Sequence, residues 1–136
     1  MAGYSGRSLV EKLGIKPTFK ISILNSPTGY AKTLGKLPAG VQTLTQPKPS
    51  MDFIHFFARE RKDLEKRIGS FKKYLASNGM IWVSWPKTAS KMPTDVNENV
   101  VREIALKNGL VDIKVCAVDE TWSGLKLVIP VKDRKK

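Results

Sequence analysis

Few side chains in this sequence are equipped for chemistry. Its 136 residues hold one histidine, His55, and one cysteine, Cys116. A lone imidazole excludes a metal site built from several histidines. A lone thiol excludes an internal disulfide and a cysteine-based zinc site. Nucleophilic catalysis would need His55, a nucleophile and a carboxylate to converge. Ser84 stands before Trp85-Pro86 and not in a G-x-S-x-G elbow. His55 lies within Phe53-Ile54-His55-Phe56-Phe57, where a neutral, hydrogen-bonded core histidine is the expectation. Cys116, within Lys114-Val115-Cys116-Ala117, reads as a buried, inert thiol. Asp119 and Glu120 are adjacent and diverge at a strand end, so they make a weak acid–base pair. Asp119 is expected to bond local amides in a turn. No catalytic residue and no metal ligand is assigned.

Binding is better supplied. Ser84-Trp85-Pro86-Lys87 sets a flat apolar ring beside a mobile cation, a pairing suited to a planar anionic ligand. The same residues also read as core filling by Trp85 and a strand stop at Pro86. Trp122, in Thr121-Trp122-Ser123-Gly124, is expected on a hairpin turn. There its indole either folds back onto the sheet or touches a partner. Lys126 and Lys87 can flank the same edge.

These residues need elements to hold them. Ser5 to Leu13 reads as a short helix capped by Ser5 and stopped by Gly14. Phe19 to Leu24 is a strand, Asn25 to Gly29 a turn, Tyr30 to Gly35 a short helix, and Val41 to Thr45 a brief β-prone stretch. Two prolines make Gln46 to Ser50 a loop. Phe53 to Phe57 is an apolar strand of the kind buried on both faces. Arg59 to Ala76 is the strongest helix, with Leu64, Ile68, Phe71 and Leu75 at helical spacing and Asn78-Gly79 as its stop. Met80 to Trp85 is a second buried strand. A helix follows, capped by Thr94 or Asp95 and ended by Asn108-Gly109. Val111 to Val118 and Leu125 to Val131 are joined too closely for a crossover, so they pair antiparallel.

Alternating strands and helices predict one α/β domain over residues 1–131, a Rossmann-like, mostly parallel sheet with an antiparallel C-terminal hairpin strand. Residues 132–136 form a basic tail. Ligands of such sheets sit beyond the carboxyl ends of the strands. That rule, with the chemistry above, nominates Asn25, Ser26, Thr28, Gly29, Tyr30, Ser84, Trp85, Lys87 and Trp122 as the ligand or partner surface.

Twenty-four Lys and Arg against twelve Asp and Glu give a formal charge of +12. Such a field attracts polyanions in a salt-sensitive way. No RGG repeat, zinc finger or RNP-like aromatic strand accompanies it. Nucleic acid is therefore expected only as a non-specific partner. Apolar runs stay under ten residues and the first sixteen are polar and broken by glycines, so neither a membrane span nor a signal peptide is expected. The expected location is the cytoplasm.

The series of elements resembles a shortened class I methyltransferase fold. Lys16-Pro17 before the first strand, Asp52-Phe53-Ile54-His55 as a fourth strand, and Ala76 to Val83 leading into a fifth carry the likeness. The chain is also similar to a small family of bacterial proteins of about this length, a domain of unknown function. Gly3-Tyr4-Ser5-Gly6, Lys12 to Lys16, Val83 to Lys87 and Asp119 to Lys126 carry that second likeness.

The methyltransferase resemblance implies glycines after the first strand and a carboxylate at the end of the second, to hold adenosylmethionine. Asn25-Ser26-Pro27-Thr28-Gly29 has one glycine, and Val41 to Pro49 has no Asp or Glu. A third strand and its helix have no room. No cofactor is assigned. The expected function is a non-catalytic binding or interaction domain with a degenerate cofactor site, its partner a small molecule or a protein. The alternatives are an adenosylmethionine-dependent methyltransferase with an atypical loop, and a basic nucleic-acid-associated protein.

Overall fold

Apolar strands and short amphipathic helices alternate along the chain and pair into one six-stranded sheet. The computed structural model describes residues 8–134. In chain order the elements are α1 (Leu9–Leu13), β1 (Lys20–Leu24), α2 (Tyr30–Leu34), β2 (Gln42–Thr43), β3 (Met51–Phe57) and α3 (Arg61–Tyr74). They continue with β4 (Leu75–Pro86), α4 (Glu98–Lys107), β5 (Val111–Ala117) and β6 (Trp122–Val128). Short 3-10 turns cover Thr88–Ser90 and Val131–Asp133.

The strand order is β2-β1-β3-β4-β6-β5. Every pairing among β1 to β4 is parallel, and β6 runs antiparallel to both β4 and β5. The architecture is the expected α/β sheet with an antiparallel C-terminal strand. That strand lies inside the sheet, so β5 and β2 form the edges.

Each face of the sheet has its own core, because side chains alternate across the pleat. Ile54, Phe56, Ile81, Val83 and Trp85 meet Leu64, Ile68 and Phe71 of α3 and Val101 and Ile104 of α4. Phe53, Phe57, Trp82 and Trp122 meet Val10 and Leu13 of α1 and Tyr30 and Leu34 of α2. The Trp82 indole N–H donates to the Leu13 carbonyl at 2.8 Å and fastens α1 to the sheet.

Several expected boundaries move. Ser5 lies outside the described residues; Ser8 caps α1 in a capping box with Glu11. Helix α3 ends at Tyr74, because Leu75 turns extended and pairs with Met51. Gly79 therefore sits within β4 rather than capping a helix. A Cβ there would stand 2.7 Å from the Met51 carbonyl oxygen, so the glycine admits a close backbone approach. Asn97, not Thr94 or Asp95, caps α4 by accepting from the Val100 amide at 2.9 Å. Asp95 instead accepts from the Arg61 amide at the start of α3. Trp122 opens β6 opposite Pro86 rather than standing on the turn.

Candidate functional site

The sequence nominated one continuous surface, and the structure divides it. Tyr30, Ser84, Trp85 and Trp122 are buried, Lys87 is half-buried, and Asn25, Ser26, Thr28 and Gly29 are exposed.

Tyr30 and Ser84 belong to a closed polar chain around His55. The His55 Nε2 lies 2.7 Å from the Ser84 Oγ, and Nδ1 lies 3.2 Å from the Tyr30 hydroxyl. Both ring nitrogens are thus used, whichever carries the proton, since each hydroxyl can donate or accept. The imidazole stacks on Phe57 at 4.2 Å between centroids, and the Tyr30 ring meets it edge-on at 5.5 Å. Burial alone pushes the His55 pKa down to about 3, so the ring is neutral. Burial, with Asp119 and Cys116 nearby, raises the Tyr30 hydroxyl above its ordinary range. His55 and Ser84 have no measurable solvent exposure. The arrangement satisfies three polar side chains inside an aromatic layer, and it presents no nucleophile to a substrate.

The edge beyond β4 is shut by the β5–β6 turn. Asp119 accepts from the Thr121 and Trp122 amides, each at 2.8 Å. The Lys87 amide donates to the Thr121 carbonyl and its ammonium to the Asp119 carbonyl. Trp122 folds back against Phe57, ring centroids 5.1 Å apart. Trp85 fills the core on the opposite face. Lys87 therefore binds the turn and does not flank an open seat with Trp85.

The open site lies where the connections from β1 and β3 leave on opposite faces, the switch point of the sheet. One cleft of about 340 Å³ is lined by Asn25, Ser26, Phe57, Arg59, Glu60 and Asp63. A second, of about 510 Å³, shares Asn25 and Asp63 and adds Gln46, Lys66, Arg67 and Tyr74. Asn25 holds a left-handed backbone, φ +57, at the tip of β1, a conformation that asparagine tolerates better than most residues. Arg67 is placed by contact with the faces of Phe56 and Phe71, 5.3 and 5.1 Å from their centroids.

Sequence reasoning reached Asn25 and Ser26 but missed Arg59, Gln46, Lys66 and Arg67. The arginine and lysine residues stand on or just before the helix that follows a buried strand, and only the tertiary fold turns that place into a cleft wall. Among the described residues no group of three His, Cys, Asp or Glu is arranged to hold a metal ion. No helix among them is long and apolar enough to cross a membrane.

A six-stranded sheet with this order, this single reversed strand and a switch-point cleft defines a Rossmann-like domain of the methyltransferase type. Solved structures agree at the level of fold. An adenosylmethionine-dependent methyltransferase from Aquifex aeolicus superposes with a TM-score of 0.61 at 14% identity, covering 89% of this chain and 88% of that one. The ribosomal protein L11 methylase of Lactobacillus delbrueckii subsp. bulgaricus gives 0.57 at 12%, covering 89% and 74%. Aeropyrum pernix fibrillarin, with natively bound S-adenosyl-L-methionine, gives 0.58 at 10%, covering 85% and 69%. Residues 45–131, well over half of the chain, match the family described as protein of unknown function (DUF3052), and the chain belongs to it. No curated protein matches the chain in sequence.

The fold implies adenosylmethionine, and the residues at the switch point do not fit it as the resemblance requires. Asn25 and Ser26 carry side chains where the resemblance implies glycines, and Pro27 has no amide to donate. Gly29 has the positive φ of such a loop, +83, but stands one residue before α2 and well past β1. Beyond β2 come Leu44, Thr45 and Gln46, with no carboxylate for ribose hydroxyls.

Proposed function

We infer that the chain is a binding domain on a methyltransferase scaffold, its ligand seated in the cleft between the ends of β1 and β3. The ligand class is a small polar molecule with an anionic group. The observation that carries the reading is the composition of the cleft wall. Arg59, Lys66 and Arg67 stand with Glu60 and Asp63 around Asn25, while the chain's imidazole is sealed in the core. A wall of both signs suits a ligand with an anion and a hydrogen-bond donor. Trp85 and Trp122, expected at the contact surface, act in this reading as packing behind the cleft.

Calorimetry with adenosylmethionine and its demethylated product tests the reading. The expected result is no saturable heat with either. Saturable micromolar binding, or transfer of the methyl group, would favour an enzyme with an atypical loop. Native mass spectrometry of the full chain from its own cells tests the seat. A small molecule retained by the wild type should be lost from Asn25→Leu and Lys66→Ala. Retention by both variants would place it elsewhere.

A further inference from the structure

Ion pairs cluster on one face of the sheet. Arg61 pairs with Glu65 and Glu103, Lys107 with Glu103, and Arg102 with Glu98 and Asp112, all on the side of α3 and α4. The other side is covered by α1 and α2, and on or just after these helices stand Lys12, Lys16, Lys32 and Lys36 against Glu11. Two carboxylates there accept from backbone amides. Glu11 accepts from the Ser8 amide, and Asp119 from two amides of its own turn.

At the β5 edge of this side Lys114 lies directly opposite Lys126 of β6. Like charges facing each other across an antiparallel pair are destabilising. Lys126 is also half-buried; desolvation and then the charges of Lys114 and Lys16 lower its pKa. Burial raises the pKa of nearby Cys116, against the charges of Lys12, Lys114 and Lys87. A protein surface that crowds cations favours an external anion. The tryptophans of this face, Trp82 and Trp122, are buried, so the surface offers cations without a stacking platform.

We propose that the lysine face formed by Lys16, Lys114 and Lys126, with Lys87 at its margin, docks the phosphate backbone of a nucleic acid without reading its bases. This site is separate from the cleft at β1 and β3, and its test does not depend on that cleft.

Fluorescence anisotropy of the full chain with a short mixed-sequence DNA duplex, from low to physiological salt, provides the test. The triple variant Lys16→Gln, Lys114→Gln, Lys126→Gln should bind at least about tenfold more weakly at low salt. It should also reduce the log–log salt slope by about 2 to 3, close to one unit for each phosphate no longer neutralised. A triple of equal charge change on the other side, Lys62→Gln, Lys73→Gln, Lys107→Gln, should leave the slope nearly unchanged. If the half-buried Lys126 position unsettles the fold, the exposed pair Lys16→Gln, Lys114→Gln should still lower the slope by about 2. Equal losses in both triples would reduce binding to the net charge of the molecule and overturn the assignment. So would wild-type affinity for anionic vesicles but not for nucleic acid, or no salt-dependent binding at all.

Discussion

Burial, more than any charged neighbour, sets the state of His55. Its two nitrogens find Ser84 and Tyr30, and aromatic rings occupy the remaining space. Protonation would put an uncompensated charge into that layer, so the folded-state pKa falls from an ordinary 6.5 to about 3. The unfolded chain then binds more protons than the folded chain between those values, and stability rises with pH. This contribution is full above pH 6.5 and is lost as pH falls toward 3. The slope reaches at most about 1.4 kcal/mol per pH unit. His55→Gln keeps polar atoms without the titration. It should be less stable than the wild type at neutral pH, by about 1 to 3 kcal/mol. Its stability should change less on acidification, so the two denaturant midpoints converge as pH falls from about 6.5 to about 4.5. Parallel loss of stability in both proteins would show that His55 already titrates normally.

At the scale of elements, the sequence was most readable where one periodicity ran without competition. The apolar runs of β3 and β4, the helical stripe Leu64, Ile68 and Phe71, and the close spacing of β5 and β6 all led to the observed sheet. Junctions were less readable, because tertiary pairing decides them. Asn78-Gly79 has the composition of a helix stop, yet β3 recruits Leu75 into the sheet and the glycine is used where the Met51 carbonyl passes. The candidate site suffered in the same way. Trp85 and Trp122 were legible as large rings near strand ends, but which face each strand turns to the core depends on register, and register buried both. Arg59 and Lys66 carry no local pattern that separates a cleft wall from a solvated helix. The α3–β4 junction gives a direct check. In Gly79→Ala the new Cβ would meet the Met51 oxygen at 2.7 Å and the Leu75 side chain at 2.9 Å. The variant should lose about 1 to 3 kcal/mol, read as a lower denaturant midpoint with an unchanged m-value. An unaltered midpoint would mean that β4 begins after Gly79.

At the scale of the molecule, two cores share one sheet, and the sheet is only one strand thick. Phe53 and Ile54 are neighbours in β3, yet each belongs to a different core. Losing either core would expose one face of β3, β4 and β6 to water, and these strands carry many of the buried side chains. At about 25 cal/mol for each Å² of apolar surface, neither α1 and α2 nor α3 and α4 can detach cheaply. The domain should therefore unfold as one cooperative unit. Its three tryptophans make this measurable, since Trp82 and Trp122 report the core under α1 and α2 and Trp85 the core under α3 and α4. In Trp85→Phe, fluorescence follows the first core alone; in Trp82→Phe, Trp122→Phe it follows the second. Within each variant the fluorescence transition should coincide with loss of far-ultraviolet dichroism, although each substitution moves the shared midpoint. A fluorescence change of the α1–α2 core ahead of the dichroism would instead show that the helices beside the lysine face come away first. The sheet, and with it the cleft between β1 and β3, would then persist on the α3–α4 core alone.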